Sequence, residues 1–384
     1  MPGIYIHVPF CRSRCIYCDF YSTTLPPAWH MPYAEAIDRE LEMRLAASPL
    51  SPGRELTTLY IGGGTPSQLA PDALLRIFRA VGKHFALPHT AEITIEANPD
   101  DVTPEWIALL RDTPANRVSM GVQSLDDGIL RTLHRRQTAG QARRAVGLLQ
   151  QAGYLNLSLD LIYGLPGQGR EQFASDVSEI LSLGVPHLSA YALQFEPDTP
   201  LFSQREQGIV QEADEELSLA CYERLIDLTA EAGMEHYEIS NFARPGFRSR
   251  HNSAYWTGVP YVGLGPGAHS YDGRQRRSYN CEDLQAYIKG LRQGKLPSTA
   301  EDLSDTDRYN ERIMLRLRTS EGLSLTDLEH DFGSRLRRYC ETMAAPHLEQ
   351  GRLQKKADET LCLTRQGLFV SDAVISDMMA VPDE

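Results

Sequence analysis

Three cysteines near the amino end of the chain have the residue type and spacing of metal ligands. Cys11, Cys15 and Cys18 follow the pattern C-x3-C-x2-C, directly after a run that is typical of a β-strand. Thiolates are the usual ligands of iron–sulfur clusters, and no fourth cysteine lies nearby in the sequence. A cubane held by three thiolates leaves one iron open. The motif therefore predicts a [4Fe–4S] cluster that can bind a further ligand through the metal.

Two other interpretations of this motif stay open at the level of sequence. The three residues could form a zinc knuckle that lacks its histidine, or they could be unrelated. Zinc sites usually combine two short arms of cysteine or histidine, and no second arm follows Cys18. This absence favours the iron–sulfur interpretation.

A glycine run follows the second strand-like segment, as Gly62-Gly63-Gly64-Thr65-Pro66. Glycine allows the backbone to approach a ligand closely, and consecutive N–H and C=O groups can hold a small zwitterion. Glycine-rich turns after strands are also common without any ligand. The run therefore predicts a binding turn only in combination with the cysteine motif.

Four polar residues stand at or near the carboxyl ends of the next four predicted strands: Glu96, Gln123, Asp160 and Gln194. Loops that follow parallel strands converge at one rim of a β/α barrel, where ligands bind. Each residue also has an ordinary explanation, such as a helix cap for Asp160 or a core hydrogen bond for Gln123. Together they predict one shared site.

Short β-rich runs alternate with amphipathic helical runs through the first half of the chain, which is typical of β/α units around a parallel sheet. The predicted strands are Ile4–Val8, Thr57–Ile61, Glu92–Ala97, Arg117–Gly121, Leu157–Ile162 and His187–Ala192. The predicted helices are Tyr33–Leu45, Pro71–Phe85, Pro104–Arg111, Gln141–Ala152, Glu171–Leu183 and Glu212–Ala232. Six units are two short of a full eight-unit barrel.

The sequence predicts three regions: residues 1–240 as a partial (β/α)6 barrel, 241–297 as an extension that closes the barrel, and 298–384 as a small, mainly helical C-terminal domain.

The 38 basic and 51 acidic residues give a formal charge of −13, which disfavours nucleic acid as a partner. No apolar run approaches the roughly 18 residues of a membrane span, and no signal peptide is evident, so we expect a cytoplasmic protein.

The cysteine motif and three other strings carry a resemblance to a known family. The strings are Tyr5-Ile-His-Val-Pro-Phe-Cys11, the glycine run with Ser67, and Asp160-Leu-Ile-Tyr-Gly-Leu-Pro166. With them the chain resembles radical S-adenosylmethionine (SAM) proteins, and within these the family of oxygen-independent coproporphyrinogen III oxidases and haem chaperones. The resemblance covers nearly the whole chain, including the C-terminal domain. It implies an open six-unit β/α barrel, a cluster held by Cys11, Cys15 and Cys18, and SAM on the open iron.

The resemblance also implies roles for individual residues. Gly63, Gly64 and Thr65 would bind the methionine amino group of SAM, and Glu96 and Asp160 would contact its ribose or amino end. Arg135 would pair with the SAM carboxylate, since a guanidinium matches a carboxylate in two hydrogen bonds. Gln123 and Gln194 would belong to the same site. Tyr5 would line the cofactor and Tyr17 the adenine, although both tyrosines could simply be packing residues.

The string His251-Asn-Ser-Ala-Tyr-Trp256 resembles the haem-associated H-N-x-x-Y-W motif of the haem chaperones. Imidazole can ligate haem iron, so His251 is the first candidate ligand and His269 the second. Arg248 and Arg250 could meet the haem propionates. On these residues alone, packing at the open edge of the barrel is the favoured explanation of His251 and Trp256, and the comparison with the oxidases shifts the interpretation toward haem.

Two further features favour a haem chaperone over an oxidase. The oxidases carry an extra cysteine two residues after the last ligand, where this chain has Phe20, and they have a longer segment before the cluster motif. The expected function is therefore transfer of haem to an acceptor haemoprotein, which could lie at the membrane, with an electron donor for the cluster. The alternatives are oxidative decarboxylation of coproporphyrinogen III by a SAM-derived radical and a radical SAM reaction on tRNA, which the acidic charge disfavours.

Overall fold

Six parallel strands, each followed by helix, form the first half of the computed structural model, which describes residues 3–47 and 55–381. The strands are β1 Gly3–Val8, β2 Thr58–Gly63, β3 Glu92–Ala97, β4 Arg117–Gln123, β5 Leu157–Tyr163 and β6 His187–Ala192. The helices between them are α1 His30–Ala47, α2 Pro71–His84, α3 Pro104–Arg111, α4 Asp127–Thr132, α5 Ala139–Gln151 and α6 Arg170–Ser182. Each predicted strand agrees with the observed one to within two residues at either end.

The middle of the chain adds shorter elements to this frame. They are α7 Pro200–Glu206, α8 Glu215–Glu231, β7 Glu235–Glu238, β8 Asn241–Ala243, α9 Arg250–Trp256, β9 Tyr261–Leu264, β10 His269–Tyr271, β11 Arg276–Asn280, α10 Leu284–Arg292 and β12 Ser298–Asp302. All the strands so far form one sheet with the order β12-β11-β10-β9-β1-β2-β3-β4-β5-β6-β8-β7. We expected the segment after residue 240 to close the barrel. Within the described residues this segment adds strands on both sides of the six parallel ones, since β9 pairs with β1 and β8 pairs with β6, and closure of the barrel stays a prediction.

Local sequence explains the repeated units. In β1, Ile4, Ile6 and Val8 are buried in the core shared with the helices, while Tyr5 and His7 alternate with them on the inner face. Helices begin at residues suited to that position: the Thr138 side chain accepts a hydrogen bond from the Gln141 N–H in a capping box, and the Asp126 side chain accepts from the Gly128 and Ile129 N–H groups at the start of α4.

Helix α9 lies across the amino-terminal ends of two strands. The backbone N–H groups of Arg250 and His251 donate to the carboxylate of Glu92, the first residue of β3, both at 2.9 Å. The His251 ring also meets the hydroxyl of Thr58, the first residue of β2, at 2.9 Å. Because the cysteine loop follows the carboxyl end of β1, α9 covers the opposite end of the sheet.

A second hydrophobic cluster forms within the last part of the chain. Its elements are α11 Asp305–Leu317, β13 Leu323–Ser324, α12 Leu325–Glu349, β14 Leu353–Lys355, β15 Thr360–Leu363, α13 Arg365–Phe369 and α14 Ser371–Met378. Helix α12 bends at Gly333, whose φ of 81° and ψ of 167° are not helical. The division of the chain into three regions stays a prediction. Residues 1–2, 48–54 and 382–384 of those regions lie outside the described residues.

Candidate functional site

The cysteine loop projects from the carboxyl end of β1 and is closed at its base by the backbone. The N–H of Cys11 donates to the carbonyl of Thr23 at 2.9 Å, and the N–H of Thr23 donates to the carbonyl of Pro9 at 2.7 Å. Cys11, Cys15 and Cys18 are all partly exposed and carry free thiols. The loop therefore presents three sulfur atoms at the rim of the sheet.

The three sulfur atoms of the loop are not gathered as closely as the ligands of one zinc ion would be. At a zinc–sulfur distance of about 2.3 Å, tetrahedral ligands of one zinc would lie roughly 3.8 Å apart. In the described part of the chain these sulfurs do not all lie within 4.8 Å of one another. Burial raises the pKa of Cys11, and it raises that of Cys18 to about 11. Bound metal cations would stabilise the thiolates and so would lower these raised pKa values.

The glycine turn packs directly on the cysteine loop. The N–H groups of Gly64 and Thr65 donate to the carbonyls of Val8 and Phe10, both at 2.7 Å, and the Thr65 hydroxyl lies 3.4 Å from the Cys11 sulfur. Gly63 has a φ of 108°, and a Cβ there would approach the His7 ring to 2.5 Å. Both the conformation and the close approach require glycine at this position.

Glu96 holds the glycine turn in place. Its two carboxylate oxygens accept hydrogen bonds from the Tyr60 hydroxyl at 2.7 Å and from the Gly63 N–H at 3.0 Å. Burial raises the pKa of this carboxyl. A direct contact of Glu96 with SAM stays a prediction, and the visible role of the residue is to position the turn.

Arg135 reaches the cysteine loop rather than standing free at the rim. Its guanidinium donates to the Cys15 sulfur at 3.3 Å, to the Asn98 side-chain oxygen at 3.0 Å, and to the Gly121 carbonyl. If Arg135 also pairs with the SAM carboxylate, as predicted, its guanidinium has to bind that carboxylate in addition to these three acceptors. Sequence reasoning missed Asn98, although its place directly after β3 put it on the same rim as the predicted residues.

The remaining predicted site residues lie along the same rim. Gln123 ends β4 with a φ of 69°, at a shift in the register between β4 and β5. A positive φ in a residue other than glycine is uncommon and occurs often at functional sites. Gln194 is exposed in the loop after β6, and Tyr17 packs against a small cluster that contains Ile129 and Leu133. Tyr5 lies deeper on β1, with its hydroxyl 3.0 Å from a nitrogen of His7.

Asp160 faces the interior of the sheet beside β6. Burial, followed by the nearby Glu96 carboxylate, raises its pKa from 3.8 to about 7. The folded chain therefore binds this proton more tightly than the unfolded chain. Folding stability from this group is present at low pH and is lost as the pH rises from about 4 to about 7.

The direction of this pH dependence of stability gives a testable prediction for Asp160→Asn in the absence of SAM. We expect the wild type to lose stability between pH 4 and pH 7 more steeply than the variant, by on the order of 1.4 kcal/mol per unit of pKa shift. Urea unfolding at a series of pH values measures the difference. Parallel stability curves for the two proteins would contradict the assignment.

Two regions of the chain match models of known protein families. Residues 5–180 match the model of the radical SAM superfamily, and residues 303–370 match the HemN C-terminal domain. The chain is 36% identical to the heme chaperone HemW of Mycobacterium tuberculosis over 98% of this chain and 94% of that protein. It is 34% identical to HemW of Escherichia coli, over 93% and 92% of the two chains.

The chain belongs to the HemW family. Among solved structures, coproporphyrinogen III oxidase (HemN) from Escherichia coli, a radical SAM enzyme, superposes with a TM-score of 0.84 at 23% identity, covering 99% of this chain and 90% of that one. This likeness confirms the predicted open α/β fold with a helical C-terminal region. Of the described helices in this HemW-family chain, none combines the length and apolar character needed to cross a membrane.

The first haem candidate of this HemW-family chain lies in the interior. His251 is 2% exposed, and its two ring nitrogens lie 2.9 Å from the Thr58 hydroxyl and 2.9 Å from the Tyr255 hydroxyl. Burial, together with the nearby Arg117, lowers its pKa to about 3. Neither nitrogen is free for iron in this arrangement, so the role predicted for His251 has no geometric support.

The arginines beside the motif also have partners of their own. Arg248 forms ion pairs with Glu235 at 2.9 Å and Glu321 at 2.6 Å, and Arg250 donates to the carbonyl of Thr90. Arg248 lies just before α9, and Arg250 is the first residue of that helix. The H-N-x-x-Y-W segment thus closes one end of the sheet, and only its aromatic end faces an open cavity.

Proposed function

We propose that this chain binds haem, together with a [4Fe–4S] cluster and SAM, and passes the haem to an acceptor haemoprotein. The observation that carries the proposal is its extensive similarity to proteins named heme chaperone HemW, combined with three free thiols on one rim loop. We further propose that the protein works in the cytoplasm with an electron donor for its cluster. All seven cysteines are unpaired, as expected in a reducing compartment.

In this proposal Cys11, Cys15 and Cys18 hold the cluster, and the glycine turn lies beside it. Gln123, Asp160 and Gln194 would complete the SAM site along the rim, with Tyr5 and Tyr17 at its walls. A bound cluster and SAM would supply one-electron reductive chemistry. The residues of the chain fix the positions around them: Glu96 holds Gly63, Thr65 contacts Cys11, and Arg135 contacts Cys15.

A haem transfer assay tests the function. Anaerobically reconstituted protein is titrated with haem, with and without SAM, and is then mixed with an apo-haemoprotein. We expect saturable haem binding and movement of the haem absorbance to the acceptor. In a parallel incubation with coproporphyrinogen III and SAM we expect no decarboxylated product. Product formation with stoichiometric SAM cleavage would instead identify an oxidase.

A further inference from the structure

A cavity of about 650 Å³ opens between the β1 side of the sheet and the C-terminal helices. Its walls come from β1, the end of α9, strands β9 to β11, and helices α11 and α12. The volume falls in the range of about 300–1,000 Å³ that is typical of small-molecule sites. Asp19, Phe20 and Tyr21 of the cysteine loop also border it, so the cavity adjoins the cluster site.

Aromatic rings form much of the cavity wall. Tyr255 and Tyr261 meet edge to face at 4.7 Å, and Tyr271 continues the series at 6.4 Å from Tyr261. Trp256 is beside them, and its buried indole N–H has no hydrogen-bond partner in the described part of the chain. Flat aromatic surfaces of this kind suit a planar, largely apolar ligand.

Cationic side chains border the same space. Arg277 pairs with Glu311 at 2.8 Å, and Arg308 and Arg312 lie over the Phe332 ring at 5.5 and 5.7 Å. Arg274 is exposed, and no carboxylate in residues 3–47 and 55–381 lies within 4.0 Å of its guanidinium, although its charge acts on the nearby Asp272 carboxylate. A guanidinium without such a partner, next to an aromatic wall, suits a ligand that carries carboxylates at its edge.

Two histidines line the cavity, and they differ in availability. The nitrogens of His7 lie 3.0 Å from the Tyr5 hydroxyl and 2.8 Å from the Tyr21 carbonyl, so both are engaged. His269 on β10 is exposed and stacks on Tyr279 at 5.6 Å, and its ring makes no hydrogen bond within the described residues. Partial burial lowers its pKa, which favours the neutral imidazole that metals bind.

We infer that this cavity is the haem site, with His269 as an iron ligand and Arg274 as a partner of a haem propionate. The inference rests on the proposed haem function and names its site. Tyr255 and Trp256 of the H-N-x-x-Y-W segment then serve as part of the wall, while His251 stays in the core. This divides the motif into a structural half and a ligand-facing half.

The test compares haem binding by the reconstituted wild type, His269→Ala and the control His89→Ala. Both histidines are exposed, and His89 lies away from the cavity, on the loop before β3. We expect His269→Ala to weaken haem binding by roughly tenfold or more and to lose the histidine-ligand signature in magnetic circular dichroism. Added imidazole should restore that signature in His269→Ala. If His269 had only a structural role, imidazole would not restore it. His89→Ala should match the wild type.

A second variant tests the propionate contact. Arg274→Gln should lower the affinity for haem several-fold while leaving the affinity for haem dimethyl ester, which lacks free carboxylates, unchanged. If His269→Ala keeps the wild-type affinity for haem and an unaltered spectrum, His269 is not an iron ligand. If Arg274→Gln loses affinity equally for haem and for its dimethyl ester, Arg274 does not contact a propionate. Absence of haem binding by the wild type would instead defeat the proposed function and this inference with it.

Discussion

Cys15→Ala is expected to abolish cluster assembly in this protein. Only three thiols are offered by the loop after β1, so losing one leaves two irons of a cubane without a protein ligand. Iron and sulfide after anaerobic reconstitution should fall from roughly four of each per chain toward zero. The loss should also remove the sulfur that accepts the hydrogen bond from Arg135 at 3.3 Å. Iron and sulfide analysis together with Mössbauer spectroscopy measure the result.

Cys281→Ala is the matched control, because Cys281 is also a partly exposed free thiol but lies after β11. This variant should keep the full complement of iron and sulfide. A full complement in Cys15→Ala would remove that residue from the ligand set. Zinc in place of iron in the anaerobically purified wild type would overturn the assignment of the whole motif.

The first half of the fold follows closely from local sequence. Apolar residues recur at every second position in these strands and pack into the core, as Ile93, Ile95 and Ala97 do, so runs such as Glu92–Ala97 and His187–Ala192 were predicted with their observed bounds. The rim site could be predicted for the same reason. Once the strands are known, residues at their carboxyl ends must lie close together, as Glu96 and Asp160 do.

The sheet extension beyond β1 could not be predicted in the same way. Strands β9 and β10 have four and three residues, and glycines at 263, 265 and 267 interrupt any alternating pattern. Their pairing depends on contacts with distant segments, such as the parallel register of Val262 with Ile4. A run this short carries too little periodicity to identify a strand.

The location of His251 depends on long-range contacts that the motif does not encode. Its partner Thr58 lies 193 residues earlier in the chain, and Glu92 lies 159 residues earlier. The sequence string identifies residue types that could bind haem. It does not reveal that α9 crosses the amino ends of the strands, so that the histidine points into the core while Tyr255 and Trp256 reach the cavity.

His251→Ala should therefore reduce stability while leaving the haem spectrum unchanged. Removing the ring creates a cavity under α9 and leaves the Thr58 and Tyr255 hydroxyls without their partner. We expect a loss of about 2–4 kcal/mol in the free energy of unfolding at pH 7.5. Urea unfolding followed by circular dichroism measures the loss, and haem titration of the folded variant tests the iron ligand.

The pH dependence and a milder variant separate this structural role from haem ligation. Because the pKa of His251 is lowered from 6.5 to about 3, its stabilising effect is complete above pH 6.5 and is lost as the pH falls toward 3. The stability difference between wild type and His251→Ala should narrow over that range. Thr58→Val, which removes one hydrogen bond at similar volume, should cost only about 1 kcal/mol. Loss of the histidine-ligand signature in stably folded His251→Ala would show that α9 rearranges to bring this residue to the iron.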